Sequence, residues 1–95
     1  MSIFNKENVL ERVINSLIEN SSPLVTEYIF VLDGCVDDSE QIVHKMISKI
    51  PPGASHKILK TDNVFETRSN NVGIKSATQK YVCVVQDDMQ ILEKN

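Results

Sequence analysis

Five aspartates carry the chemistry this sequence could do, in two groups: Asp33 with Asp37 and Asp38, and Asp87 with Asp88. Each group follows an unbroken apolar run, Tyr28-Ile29-Phe30-Val31-Leu32 before the first and Tyr81-Val82-Cys83-Val84-Val85 before the second. Crowded carboxylates repel one another unless something positive neutralises them. A hard divalent cation does this, with oxygen ligands and phosphates completing its shell. Neighbouring side chains in an extended chain point to opposite faces, so of Asp87 and Asp88 only one is expected to be a direct ligand. For Asp37 and Asp38 a solvated-loop or helix-cap role stands level with a functional one. For Asp88, at the end of a buried strand, the functional role comes first.

Placing these acids together is the work of the surrounding elements. Residues 26–32 and 81–85 read as strands apolar on both faces, which belong inside a parallel sheet covered by helices. A helix is expected from an Asn5 cap to about Asn20, with Val9, Leu10, Val13, Ile14, Leu17 and Ile18 on one stripe. Ser21-Ser22-Pro23 breaks it. A second helix starts at Asp37, Asp38 or Ser39, turns Ile42, Val43, Met46, Ile47 and Ile50 inward, and stops at Pro51-Pro52-Gly53. Residues 56–60 read as a short edge strand flanked by Lys57 and Lys60, and 61–69 as a polar connection. A third helix is expected from Asn70 or Asn71 to Gln79. Gly73 inside it costs roughly 1 kcal/mol relative to Ala, which implies close packing. Strands alternating with helices give parallel βαβ units, in which ligands bind beyond the carboxyl ends of the strands. Both acidic groups then fall on one edge.

Composition narrows the classes. The chain has 95 residues, one small domain at most, with 41% hydrophobic and 24% charged residues and a net charge of −3. Its ten basic residues are scattered, which excludes a nucleic-acid surface. No apolar stretch approaches the ~18–20 residues of a membrane span, and no apolar core follows a basic start at Met1. Cys35 and Cys83 have no CxxC spacing and no His at metal spacing. Two free thiols fit a reducing, cytoplasmic setting.

Four short motifs, in order, resemble the donor half of family 2 glycosyltransferases, which have the GT-A fold. Phe4-Asn5-Lys6-Glu7 resembles the family's aromatic-Asn-basic-Glu turn, and Leu32-Asp33-Gly34-Cys35-Val36-Asp37 its Asp-Asp-Gly-Ser-x-Asp strand end. Asn70-Asn71-Val72-Gly73 resembles the helix opening Arg-Asn-x-Gly, and the strand ending Gln86-Asp87-Asp88 resembles the one ending Asp-x-Asp. Each motif alone is weak; together, on fitting elements, they span almost the whole chain. The resemblance implies an α/β fold, a three-layer parallel-sheet sandwich of the Rossmann-like nucleotide-diphospho-sugar transferase kind. Residues 1–95 would be a truncated half-domain of it, with a shortened first strand lying between the strands that end at Leu32 and Val85.

The same resemblance implies an inverting transfer of sugar from a nucleotide diphosphate sugar, with UDP favoured, to a hydroxyl of an acceptor glycan or lipid. Phe4, Asn5 and Glu7 would line the nucleoside, and Asp33 would accept a hydrogen bond from the base. Asn71 and Gly73 would pack beside the nucleotide. Asp88 would hold Mn²⁺ or Mg²⁺ against the diphosphate, with Asp87 beside the nucleotide. The chain departs from the family pattern at three places. Leu32 replaces an Asp. Gln86 replaces another, and can bond a ribose hydroxyl without bringing charge. Asn70 stands where Arg is usual, and Arg68 is the nearby replacement. No residue matches the family's general base, so a non-catalytic remnant with the same fold is the alternative expectation, and another acidic-pocket α/β module a further one.

Overall fold

The computed structural model describes residues 1–20, 25–79 and 82–85. Its elements are β1 (Ser2–Ile3), α1 (Leu10–Asn20), β2 (Glu27–Asp33), α2 (Ser39–Met46) with a 3₁₀ turn at Ile47–Lys49, β3 (Ser55–Thr61) and α3 (Phe65–Ser76). The sheet is parallel, in the order β1-β2-β3, with Ile3 opposite Leu32 and Asp33 opposite Thr61.

The unbroken apolar run of β2 is explained by its two faces. Tyr28, Phe30 and Leu32 point to one side and join Ile3 of β1, Leu10 and Ile14 of α1, and Val43 and Met46 of α2, in the main core. Each such side chain, fully buried, contributes about 1.5–3 kcal/mol relative to exposure. Ile29 and Val31 point to the other side, where α3 lies. A Cβ placed on Gly73 would come within 3.2 Å of Val31 Cγ2 and 3.7 Å of Ile29 Cγ2. The glycine expected to allow close packing does so, and helices cover both faces of the sheet.

Four expectations are corrected. α1 starts at Leu10, not after an Asn5 cap. Asn5 adopts a left-handed φ of +47°, and its Oδ1 accepts the Val36 N–H at 2.9 Å, so it pins a loop instead. α3 starts at Phe65, inside the stretch read as a polar connection, and ends at Ser76. Residues 82–85 form no strand, and Val82 and Val84 are exposed. β1 therefore pairs with β2 alone among the described residues, where a place between two strands was expected. The break at Ser21-Ser22-Pro23 and residue Tyr81 lie outside the described residues.

β3 is an edge strand as expected, although longer, and none of its residues is buried. Lys57 does more than guard that edge. Its Nζ lies 3.5 Å from Glu27 Oε2 and donates to the Ser76 carbonyl at the end of α3. The Glu27 side chain, 5% exposed, also accepts from the Thr78 N–H at 3.0 Å and the Thr78 hydroxyl at 3.1 Å. These bonds, the Thr78 N–H foremost, hold the Glu27 carboxyl below its usual range. They fasten the chain leaving α3 to the start of β2.

Candidate functional site

The carboxyl ends of β1 and β2 bring two sequence segments together. Asp33 is the last residue of β2 and is 2% exposed. Leu32 faces the α1–α2 core, so strand alternation turns Asp33 toward α3. Its Oδ1 accepts from the Thr61 hydroxyl at 2.8 Å and the Val64 N–H at 2.7 Å, and its Oδ2 from the Phe65 N–H at 2.9 Å. A carboxylate at the amino end of a 12-residue helix meets both unpaired N–H groups and a favourable dipole. Asp33 thus starts α3. With these three donors the carboxylate is held beneath the surface, since the residue is almost fully buried.

The backbone around this carboxylate is unusual. Gly34, Asn63 and Phe65 all have left-handed φ, at +66°, +54° and +70°. The Gly34 N–H bonds the Thr61 carbonyl at 2.8 Å. A Cβ on Gly34 would stand 2.9 Å from Asn63 Cβ and 3.0 Å from its backbone nitrogen, so only glycine fits.

Beside it, the turn after β1 is joined reciprocally to the loop after β2. The Glu7 N–H donates to Asp37 Oδ2 at 3.1 Å, and Glu7 Oε2 accepts the Asp38 N–H at 3.1 Å. Asp37 Oδ1 takes the Ser39 N–H at 3.0 Å, and the Ser39 hydroxyl takes the Lys6 N–H at 2.9 Å. The Cys35 thiol donates to the Ile3 carbonyl at 3.3 Å. Partial burial pushes the Asp37 carboxyl up, but the bonds from Ser39 and Glu7 outweigh it and hold it below its usual range. Asp37 and Asp38 belong to this joint; the Asp38 side chain caps nothing.

Phe4, Asn5, Glu7 and Asp33 therefore meet at one edge. Arg68 and Asn71 are exposed on α3. Ser69 and Gly73, four residues apart, face the sheet, and Asn71, midway between them, is turned from it. At ~1.5 Å per residue it also lies ~9 Å along α3 from the end that Asp33 holds. Gln86, Asp87 and Asp88 lie outside the described residues. Among the described residues no three His, Cys, Asp or Glu side chains gather as a metal cradle, and no helix is long and apolar enough to cross a membrane. Thr61, Val64 and Phe65 are the site residues that the sequence did not single out. The one visible signal was an aromatic side chain at position 65 within a polar stretch.

Comparison with known proteins adds one finding. A family model described as Glycosyl transferase family 2 matches residues 1–95. No curated protein and no solved structure matches the chain.

Proposed function

The chain belongs to glycosyl transferase family 2, and from that premise we propose that residues 1–95 bind the nucleotide diphosphate sugar donor of an inverting transfer to an acceptor hydroxyl. The observation that carries this reading is the convergence of Phe4, Asn5, Glu7 and Asp33 at the carboxyl edge of a parallel sheet, where ligands of open α/β sheets bind. In the proposal Phe4 lies against the nucleoside, and Asp33 is assigned the base N–H that a pyrimidine imide would offer, which requires the donor to open the contacts that bury this carboxylate. Uridine diphosphate is the first donor nucleotide to test. Arg68 and Asn71 are assigned to the flank of the site along α3, and Gln86 and Asp87 to the nucleotide's ribose side. The acceptor is a hydroxyl of a glycan or lipid.

The described residues do not by themselves fit a divalent cation, because Asp33 is committed to α3 and Asp37 to the loop joint. The proposal assigns Mn²⁺ or Mg²⁺ to Asp88. When bound, such an ion supplies positive charge opposite a leaving diphosphate. Titration calorimetry tests both parts. Uridine diphosphate is expected to bind more tightly with Mn²⁺ than with chelator. Asp88→Asn should abolish that difference, and Asp87→Asn should matter less. Equal binding with chelator present rejects the metal role, and no binding of any nucleoside diphosphate rejects the donor reading.

A further inference from the structure

Phe65 is placed at a cost that its packing does not explain. It opens α3 with φ at +70°, a conformation that penalises any residue with a Cβ. Its N–H is held by Asp33 Oδ2, a bond that glycine would make without strain. Its side chain is 72% exposed, so it adds almost nothing to the core. Strain of this kind is kept where the side chain has work to do in a site.

One hydrogen bond ties α3 to β1. Ser2 Oγ and Ser69 Oγ are 2.7 Å apart, which fixes α3 against β1. Phe4 follows directly on β1, whose last residue, Ile3, is opposite Leu32, so it leaves the sheet at the carboxyl edge beside the end of β2. One helical turn back from Ser69, toward the same edge of the sheet, comes Phe65. Phe65 is held at that edge by its own N–H bond to Asp33, so both aromatic residues lie at the carboxyl edge of the sheet. Phe4 is 46% exposed. Two aromatic rings, both open to solvent, thus border the edge where the donor is proposed to bind.

We propose that Phe65 is a base-stacking residue, forming with Phe4 the two sides of a slot that takes the planar base of a nucleoside diphosphate. The inference rests on the donor reading above. Stacking on an aromatic face requires only the π-surface of the base, so it complements the directional bond assigned to Asp33.

The test uses the 95-residue chain with uridine diphosphate and inorganic pyrophosphate as probes, by calorimetry, together with thermal melts. Phe65→Gly relaxes the left-handed backbone and removes the ring. It is expected to raise Tm while weakening uridine diphosphate binding about tenfold or more, with pyrophosphate unaffected. Phe65→Tyr should bind like the parent. Undiminished uridine diphosphate binding by Phe65→Gly would overturn this inference alone. So would a lowered Tm, or equal losses for the two probes, since either would mean that the ring supports the fold. A parent chain that binds no nucleoside diphosphate overturns this inference and the donor reading together.

Discussion

Asp37 shows how a residue whose type suggests ligand chemistry can be used for architecture. Its two oxygens accept N–H groups from Glu7 and Ser39, joining segments far apart in sequence. Asp33 was legible as an acid at the end of a strand, but its burial and its donors were not. Val64 and Phe65 present backbone N–H groups, which every residue but proline has, so no residue type announces them. The bonds to Asp37 have a consequence in acid. Its carboxyl titrates below its usual range in the folded chain, so its contribution is fully present above the unfolded value of about 3.9 and is lost as pH falls through the folded value. Asp37→Asn keeps one carbonyl acceptor and removes the titration. Urea midpoints measured from about pH 6 to about pH 2 should fall less steeply for the variant than for the parent. A residual slope is expected from Glu27 and Glu40, whose carboxyls are held low by the Thr78 N–H and by Lys60. Parallel curves for parent and variant would show that Asp37 is not part of the acid response.

At the scale of elements, α1, α2 and β2 lie broadly where their local signals place them, whereas residues 82–85, from an equally apolar run, form no strand. The stripe through Leu10, Val13 and Ile14 is buried, as are Val43 and Met46 of α2. The errors fall where long-range contacts decide. α3 begins at Phe65 because Asp33, a distant residue, supplies its acceptors; the local sequence of polar residues and a Gly73 weak in helix propensity pointed to a later start. Gly73 itself was readable, because a helical glycine needs a reason, and the reason is Val31 3.2 Å from where its Cβ would be. Gly73→Leu should force α3 away from β2 and cost about 1–3 kcal/mol by overpacking. Gly73→Ala should be far milder, since a gain of roughly 1 kcal/mol in helix propensity offsets a contact that Val31 can relieve by a small shift. Chemical denaturation of the two variants measures this. A Leu variant as stable as the parent would mean that α3 does not press on the sheet.

For the molecule as a whole, the number of strands decides behaviour. Among the described residues the core rests on ten buried hydrophobic side chains, and small domains are marginal. Among the described residues the outer edges of β1 and β3 pair with no strand. On β3, Lys60 is exposed and paired with Glu40 at 2.7 Å, a charge that discourages further pairing. β1 has no such guard, since its residues are Ser2 and Ile3. Val82 and Val84, from the run expected to form a strand, are 46% and 48% exposed. An unguarded edge and exposed β-branched residues on one small chain favour association between copies. The purified chain is therefore expected to self-associate with rising concentration, as measured by sedimentation. Val82→Lys with Val84→Lys should shift it toward monomer, because charge on an exposed apolar stretch opposes association and both valines are exposed. The same double substitution should leave Tm at low concentration nearly unchanged. A parent chain that stays monomeric at every concentration and melts reversibly well above ~65 °C would mean that its edges are covered in solution.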